Sequence, residues 1–170
     1  MSVPDNMRFI GQDVLRREDD YLLRGQGRFI DDLSLPADTL HLGFVLSPHA
    51  HARITAVDTE AAAALDGVVA VLTGDDIAPF VQPIAAEIEI AGYHRHTRDV
   101  IARDTVRFVG ETVAVVVCES AYIAQDAIEL VEVDYTPLPA TVRLEEATDP
   151  DRPRVHEAIE SNLIFEGQFA

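Results

Sequence analysis

Cysteine is nearly missing from this chain: of 170 residues, Cys118 alone carries a thiol. An internal disulfide is therefore excluded. The run Val113-Ala114-Val115-Val116-Val117-Cys118 points instead to a buried, inert sulfur. Cations are scarce as well. Thirteen Lys+Arg stand against thirty Asp+Glu, a formal net charge of −17, and that field repels phosphate backbones and anionic bilayers. No apolar stretch approaches the ~20 residues of a membrane span. The opening residues Met1-Ser2-Val3-Pro4-Asp5-Asn6 lack the basic and apolar regions of a secretory signal, so a cytoplasmic protein is expected. No glycine-rich run ends in Lys-Ser or Lys-Thr, so a phosphate cradle is missing too. The pair Gly25-Gln26-Gly27 invites a dinucleotide reading, but the third glycine would fall at Ile30 and no apolar strand precedes it.

What is present is the composition of a folded protein. Hydrophobic residues make up 48% and charged residues 25%, which excludes intrinsic disorder. A chain of this length buries roughly 70% of its unfolded surface without staples. Residues 1–24 read as a charged entry arm with one short helical turn. Gly25 and Gly27 then predict a turn, and Phe29-Ile30-Asp31-Asp32 a short strand. Leu40, Leu42, Phe44 and Leu46 alternate with His41, Gly43 and Val45, the period of a strand, which Ser47-Pro48 breaks.

Two stretches then repeat a strand–helix–strand order. In the first, Ile54–Val57 leads through the cap residues Asp58 and Thr59 into a helix over Glu60–Leu65, stopped by Gly67. Val68–Leu72 has no polar face and is expected to be buried on both sides. In the second, Thr112–Val117 is another apolar strand and Ser120 caps a helix whose stripe is Ala124, Ala127, Ile128 and Val131. Val131, Val133 and Tyr135 then alternate with Glu132 and Asp134, and Pro137 and Pro139 end that strand. The expected product is a mixed sheet with helices packed on it, of α/β or α+β type. Residues 79–99 read as a long loop and Thr148–Pro153 as a linker. Residues 163–170 read as a strand, as if the chain were cut or completed by a partner.

The six histidines include two His-x-His pairs, His49-Ala50-His51 and His94-Arg95-His96. On an extended strand each pair presents two imidazoles to one face, and two pairs could complete a tetrahedral zinc site. Structural or exposed histidines are the competing reading. The paired carboxylates (Asp19-Asp20, Asp31-Asp32, Asp75-Asp76, Glu145-Glu146) are what thirty acids produce by chance. Asp75 and Asp76 also follow Thr73-Gly74, where a short helix can begin. No strained Gly-x-Ser-x-Gly elbow or other nucleophile–base set occurs.

Several segments in register resemble a known family: Gly25-Gln-Gly-Arg-Phe-Ile-Asp-Asp32, Leu40-His41, Ser47-Pro-His-Ala-His-Ala-Arg-Ile54, Gly67-Val-Val-Ala-Val-Leu-Thr-Gly74, Val106-Arg-Phe-Val-Gly-Glu111, Ala127–Tyr135, Leu138-Pro139 and Asn162. The series is similar to the N-terminal α/β-hammerhead domain of the molybdenum-binding large subunit of the xanthine dehydrogenase/aldehyde oxidase family. Within it, large subunits of the aerobic carbon monoxide dehydrogenase type look nearest. Two positions depart: Leu46 stands where the family commonly has Arg, and Thr112 where it has Pro. The family's molybdopterin-contacting loops and catalytic glutamate match nothing here.

The resemblance therefore implies the α+β class, with a hammerhead domain over residues 25–146. Residues 147–170 would be a linker and the start of a strand leading to a catalytic region absent from this chain. It implies no catalytic, cofactor or metal residue in the chain and no cofactor bound by it alone. The whole enzyme would hold molybdopterin, 2Fe-2S clusters and FAD, with an iron–sulfur small subunit and an FAD medium subunit as partners. Gly25, Gly27, Asp31, Asp32, His49, His51, Gly110 and Glu111 are the expected structural or subunit-contact residues. Pro48 would set a turn, the imidazoles of His49 and His51 would bond backbone groups, and Gly110-Glu111 would form a tight turn before a buried strand. The rivals are a small metal-dependent hydrolase using His49, His51, His94 and His96, and a stand-alone interaction module.

Overall fold

The computed structural model describes residues 11, 13–86 and 89–167. The expectations for Met1–Asn6 and for the last three residues of the terminal apolar run lie outside them. The chain divides into two compact units, Met1–Ala37 and Asp38–Ala170.

In the first unit a single helical turn, α1 (Asp19–Leu23), carries the Arg24–Asp20 ion pair one turn apart. Gly25 N–H closes onto the Leu22 carbonyl at 3.1 Å, which makes the expected turn. The expected strand at Phe29–Asp32 is not one. Ile30–Asp32 is a 3-10 turn, because the Asp32 carboxylate reaches back to accept the Phe29 N–H at 2.9 Å. A short acidic side chain offered the backbone a local partner and won over extended pairing.

The second unit holds β1 (His41–Leu46), β2 (Ala52–Asp58), α2 (Glu60–Ala63), β3 (Val68–Thr73), α3 (Gly74–Ile77), β4 (Ile84–Ala85), β5 (Thr97–Arg98), β6 (Thr105–Val106), β7 (Thr112–Cys118), α4 (Ala121–Glu129) and β8 (Glu132–Pro137). The class is α+β. Its strands divide into two three-stranded sheets, β1-β7-β3 and β6-β2-β8, with a β4-β5 ribbon in the stretch read as a loop. Every described pairing is antiparallel.

The two strand–helix–strand stretches exist, but neither closes on itself. β2 and β3 lie in different sheets, and so do β7 and β8; the stretches instead pair crosswise, β3 with β7 and β2 with β8. β7 is the centre of the first sheet. Ala114, Val116 and Cys118 pack with Ala62, Ala124, Ala127 and Val131, while Val113 joins a second cluster with Ala52, Ala102 and Val106. One strand thus feeds both cores, as its unbroken apolar run requires.

Local signals explain the helices. The Ser120 hydroxyl accepts the Ile123 N–H at 3.2 Å and starts α4, and Asp58 Oδ1 accepts the Glu60 N–H at 2.9 Å ahead of α2. Asp76 takes both the Thr73 N–H and its hydroxyl, at 2.8 and 2.6 Å, to start α3. Those two bonds hold the Asp76 carboxyl below its ordinary pKa. In β2 a bulge between Ile54 and Ala56 lets Ile54 and Val57 both turn inward, against Tyr135 and Val133 of β8.

One strand differs from expectation in how it is buried. β3 is an edge strand, and Val69 at its bulge is 55% exposed, so it is not enclosed on both faces. β1 keeps the predicted period, and the structure shows which face is inward. His41, Gly43 and Val45 are the less exposed set, and Leu42, Phe44 and Leu46 are 56%, 50% and 53% exposed. Gly43 is the reason. A Cβ built there would lie 2.7 Å from Val116 Cγ2, 2.8 Å from Ile128 Cγ2 and 2.9 Å from the Ala124 carbonyl oxygen. Helix α4 lies directly on this glycine, so the small residues must face it. Gly43→Ala should destabilise the fold by about 2 kcal/mol, since the α4 backbone cannot yield. Urea unfolding of the variant beside the parent chain measures it.

Candidate functional site

The sequence-derived candidates of the second unit gather where β1 ends. The Ser47 N–H donates to the Glu111 carbonyl at 2.9 Å, and the Gly110 N–H to the Ser47 carbonyl at 2.8 Å. Gly110 can take part because its φ of +91° suits a residue without a Cβ. The Glu111 N–H closes the turn onto the Phe108 carbonyl at 3.2 Å. Its side chain, 6% exposed, folds back to accept the Arg107 main-chain N–H at 2.5 Å. A buried carboxylate is thus placed on a backbone donor.

The imidazoles flank this knot. Ser47, 2% exposed, offers its hydroxyl to the His49 N–H at 3.1 Å and hydrogen-bonds the Tyr135 phenol. The His49 ring lies 4.8 Å from the Tyr135 ring, tilted by 58°. His51 Nδ1 lies 2.7 Å from the Pro139 carbonyl oxygen, and the Leu138 N–H donates to the His51 carbonyl at 2.9 Å. Burial pushes the Tyr135 phenol up, partly offset by its bond to Ser47. The result is a clamp tying the end of β1, the turn before β7 and the end of β8.

Gly25, Gly27, Asp31 and Asp32 lie in the first unit, where Asp32 serves the 3-10 turn already described. The second histidine pair goes elsewhere: the His94 N–H donates to the Ile164 carbonyl at 2.8 Å, and His96 lies against His156, ring centroids 4.6 Å apart. His49 and His51 are thus engaged with Tyr135 and Pro139, and His96 with His156. Among the described residues no three His, Cys, Asp or Glu side chains gather as a metal shell. Cys118 is enclosed in the first core, and burial pushes its thiol up. Sequence reasoning gave no site role to Ser47, Tyr135, Arg107 or His156. Ser47 left a signal as a hydroxyl just before the Pro48 break, and Arg107 lies beside Glu111 in the Val106–Glu111 motif. Tyr135 and His156 meet His49 and His96 from distant parts of the chain.

This arrangement ties the ends of strands together. Two antiparallel sheets whose cores are joined through β7, with few short helices, define an α+β domain of the hammerhead kind. Residues 24–139 match the family described as aldehyde oxidase and xanthine dehydrogenase, a/b hammerhead domain, and the chain belongs to that family. It is 41% identical over 152 residues to the carbon monoxide dehydrogenase large chain of Afipia carboxidovorans, covering 87% of this chain and 18% of that one. It is 42% identical over 130 residues to the nicotine 6-hydroxylase large subunit of Paenarthrobacter nicotinovorans, covering 76% and 16%. The solved quinoline 2-oxidoreductase of Pseudomonas putida 86 superposes with a TM-score of 0.78 at 42% identity, over 89% of this chain and 19% of that chain. The chain thus spans under a fifth of each of these relatives. Among the described residues no helix is long and apolar enough to cross a membrane.

Two measurements test the clamp and the core. Glu111→Ala should cost about 2 kcal/mol by leaving the Arg107 N–H without its charged acceptor, and Glu111→Gln less; chemical denaturation ranks them. Cys118 should react with a thiol reagent only at the rate of global unfolding, so adding sub-denaturing urea should accelerate labelling in step with loss of structure.

Proposed function

We propose that this chain is a non-catalytic scaffold and subunit-contact domain of a molybdopterin-dependent oxidoreductase, of the hydroxylase or carbon monoxide dehydrogenase type. The observation that carries this reading is the outward face of β1. Leu42 pairs with Val117, which pairs with Ala70; Phe44 pairs with Val115, which pairs with Leu72. Paired residues share a face, so these side chains make one apolar surface. Its edge stands about half exposed. A strand that turns its largest apolar residues outward has a packing partner elsewhere, and over four-fifths of the relatives' length lies outside this chain. A second copy is disfavoured, because each would bring a formal charge of −17. The catalytic region of the same large subunit is the occupant this favours. Covering each of these half-exposed side chains is worth about 1 kcal/mol.

On this reading the whole enzyme holds molybdopterin, 2Fe-2S clusters and FAD, with iron–sulfur and flavin subunits as further partners. The residues of this chain do not fit those groups. One cysteine cannot provide the four thiolates a 2Fe-2S cluster takes, and the glycine-rich loops that hold the pterin match nothing in it. The chemistry then belongs to the other polypeptide, and this domain supplies packing surface. Cytoplasmic residence belongs to the same reading, supported by a single unpaired, buried thiol.

The test is co-purification of the 170-residue chain with the catalytic region of its large subunit. A stable complex is expected, and Leu42→Asp or Phe44→Asp should weaken it at least roughly tenfold while leaving the unfolding midpoint of the isolated chain within the range of surface changes. Absence of a complex, or one indifferent to both substitutions, overturns the assignment.

A further inference from the structure

The described C-terminal stretch, residues 153–167, folds back onto the loop before β5 and on the loop after β8. The His94 N–H donates to the Ile164 carbonyl, and Tyr93 forms a bridge with Phe165. The Thr141 hydroxyl and Asn162 Nδ2 both donate to the Pro153 carbonyl, at 2.8 and 3.0 Å, and Asn162 Oδ1 accepts the Val155 N–H at 2.8 Å. At the middle of this contact His96 meets His156, the rings 4.6 Å apart and tilted by 51°.

The groups acting on His156 are of one sign. It feels His96 and Arg98 from the ribbon side and Arg107 from the turn between β6 and β7, and no carboxylate is among them. Glu111 is spent on the Arg107 main-chain N–H. On the segment itself, Arg154 donates to the Ile159 carbonyl, and Glu157 is exposed. In a chain with thirty acids, this half-buried histidine has only basic groups acting on it and no carboxylate among them to balance a proton. The contact is also loosely satisfied. Tyr93 Oη, His96 Nδ1 and Arg107 Nε are buried with no hydrogen-bond partner among the described residues. Buried polar atoms left without partners lower the stability of the closed arrangement, so a modest electrostatic change suffices to shift its population.

We propose that His156, packed on His96, forms a pH-sensitive clasp that holds residues 153–165 against the body of the domain when the His156 ring is neutral and releases them when it is protonated. The sign follows from linkage. Burial first, then the three neighbouring basic groups, lower the His156 pKa from its ordinary 6.5. The released segment therefore binds a proton that the closed one refuses, and closure weakens as the pH falls below about 6.5, levelling off beneath the lowered value. The clasp stands on these contacts alone and does not depend on the family's chemistry.

The test is hydrogen exchange of the full chain between pH 7.5 and 5.5, corrected for intrinsic exchange. The reporter is the amide of His94, whose acceptor Ile164 lies on the segment, with Val116 of β7 as the reference. Protection at His94 should fall by up to about tenfold per pH unit below 6.5 while Val116 stays protected. His156→Gln should keep the protection seen at pH 7.5 and abolish its pH dependence; should that variant not fold, His96→Gln must reduce the dependence. Equal protection at both pH values, loss in step with Val116, or an unchanged pH response in the variant would overturn the clasp.

Discussion

The structure depends on β7 being buried from both sides at once. An all-apolar strand in water is only stable when each face finds a separate partner, and here α2 and α4 cover one face while the second sheet reaches the other through Val113. Everything else is arranged around that demand. β1 and β3 supply its backbone partners, and α4 presses close enough that Gly43 has no room for a side chain. The clamp of Ser47, Gly110 and Glu111 pins the strand at its entrance. The stabilising element is therefore hydrophobic and central, and the polar groups that looked like candidates for chemistry serve its edges.

Much of this was legible in the residues because it is local. Ser120 announces α4 by its spacing to the apolar stripe, and the turn at Gly110-Glu111, which the resemblance implied, is one whose backbone angle glycine accepts cheaply. The alternation in β1 announces a strand. It could not announce which face is inward. The rule that larger apolar residues go inside assumes room for them, and the room was set by α4, eighty residues further along. The strand expected at Phe29–Asp32 failed for the opposite reason: a local carboxylate outbid extended pairing. The crosswise pairing of the two strand–helix–strand stretches left no local trace, since periodicity reports faces and not partners.

The candidate site divides the same way. His49, His51, Gly110 and Glu111 lie in short motifs and were visible together, whereas Tyr135 and Pro139 reach them across more than eighty positions. The resemblance to the molybdenum hydroxylases rested on such motifs in register, and the match over residues 24–139 rests on the same stretch. The zinc alternative drew on His-x-His spacing alone. Spacing puts two imidazoles on one face of an extended segment but says nothing of what lies opposite, and here that is a tyrosine ring, a carbonyl and a third histidine.

The crosswise strand pairing bears on how the chain is made. β2-α2-β3 and β7-α4-β8 each lack an internal strand partner, so the earlier half emerging from a ribosome has nothing to zip against. Neither sheet can close until Cys118 and then Pro137 have cleared the exit tunnel, and during that interval the strands before them present bare edges. Synthesis of this domain thus includes an interval in which its early strands are made but not yet paired, the non-local order that slows folding.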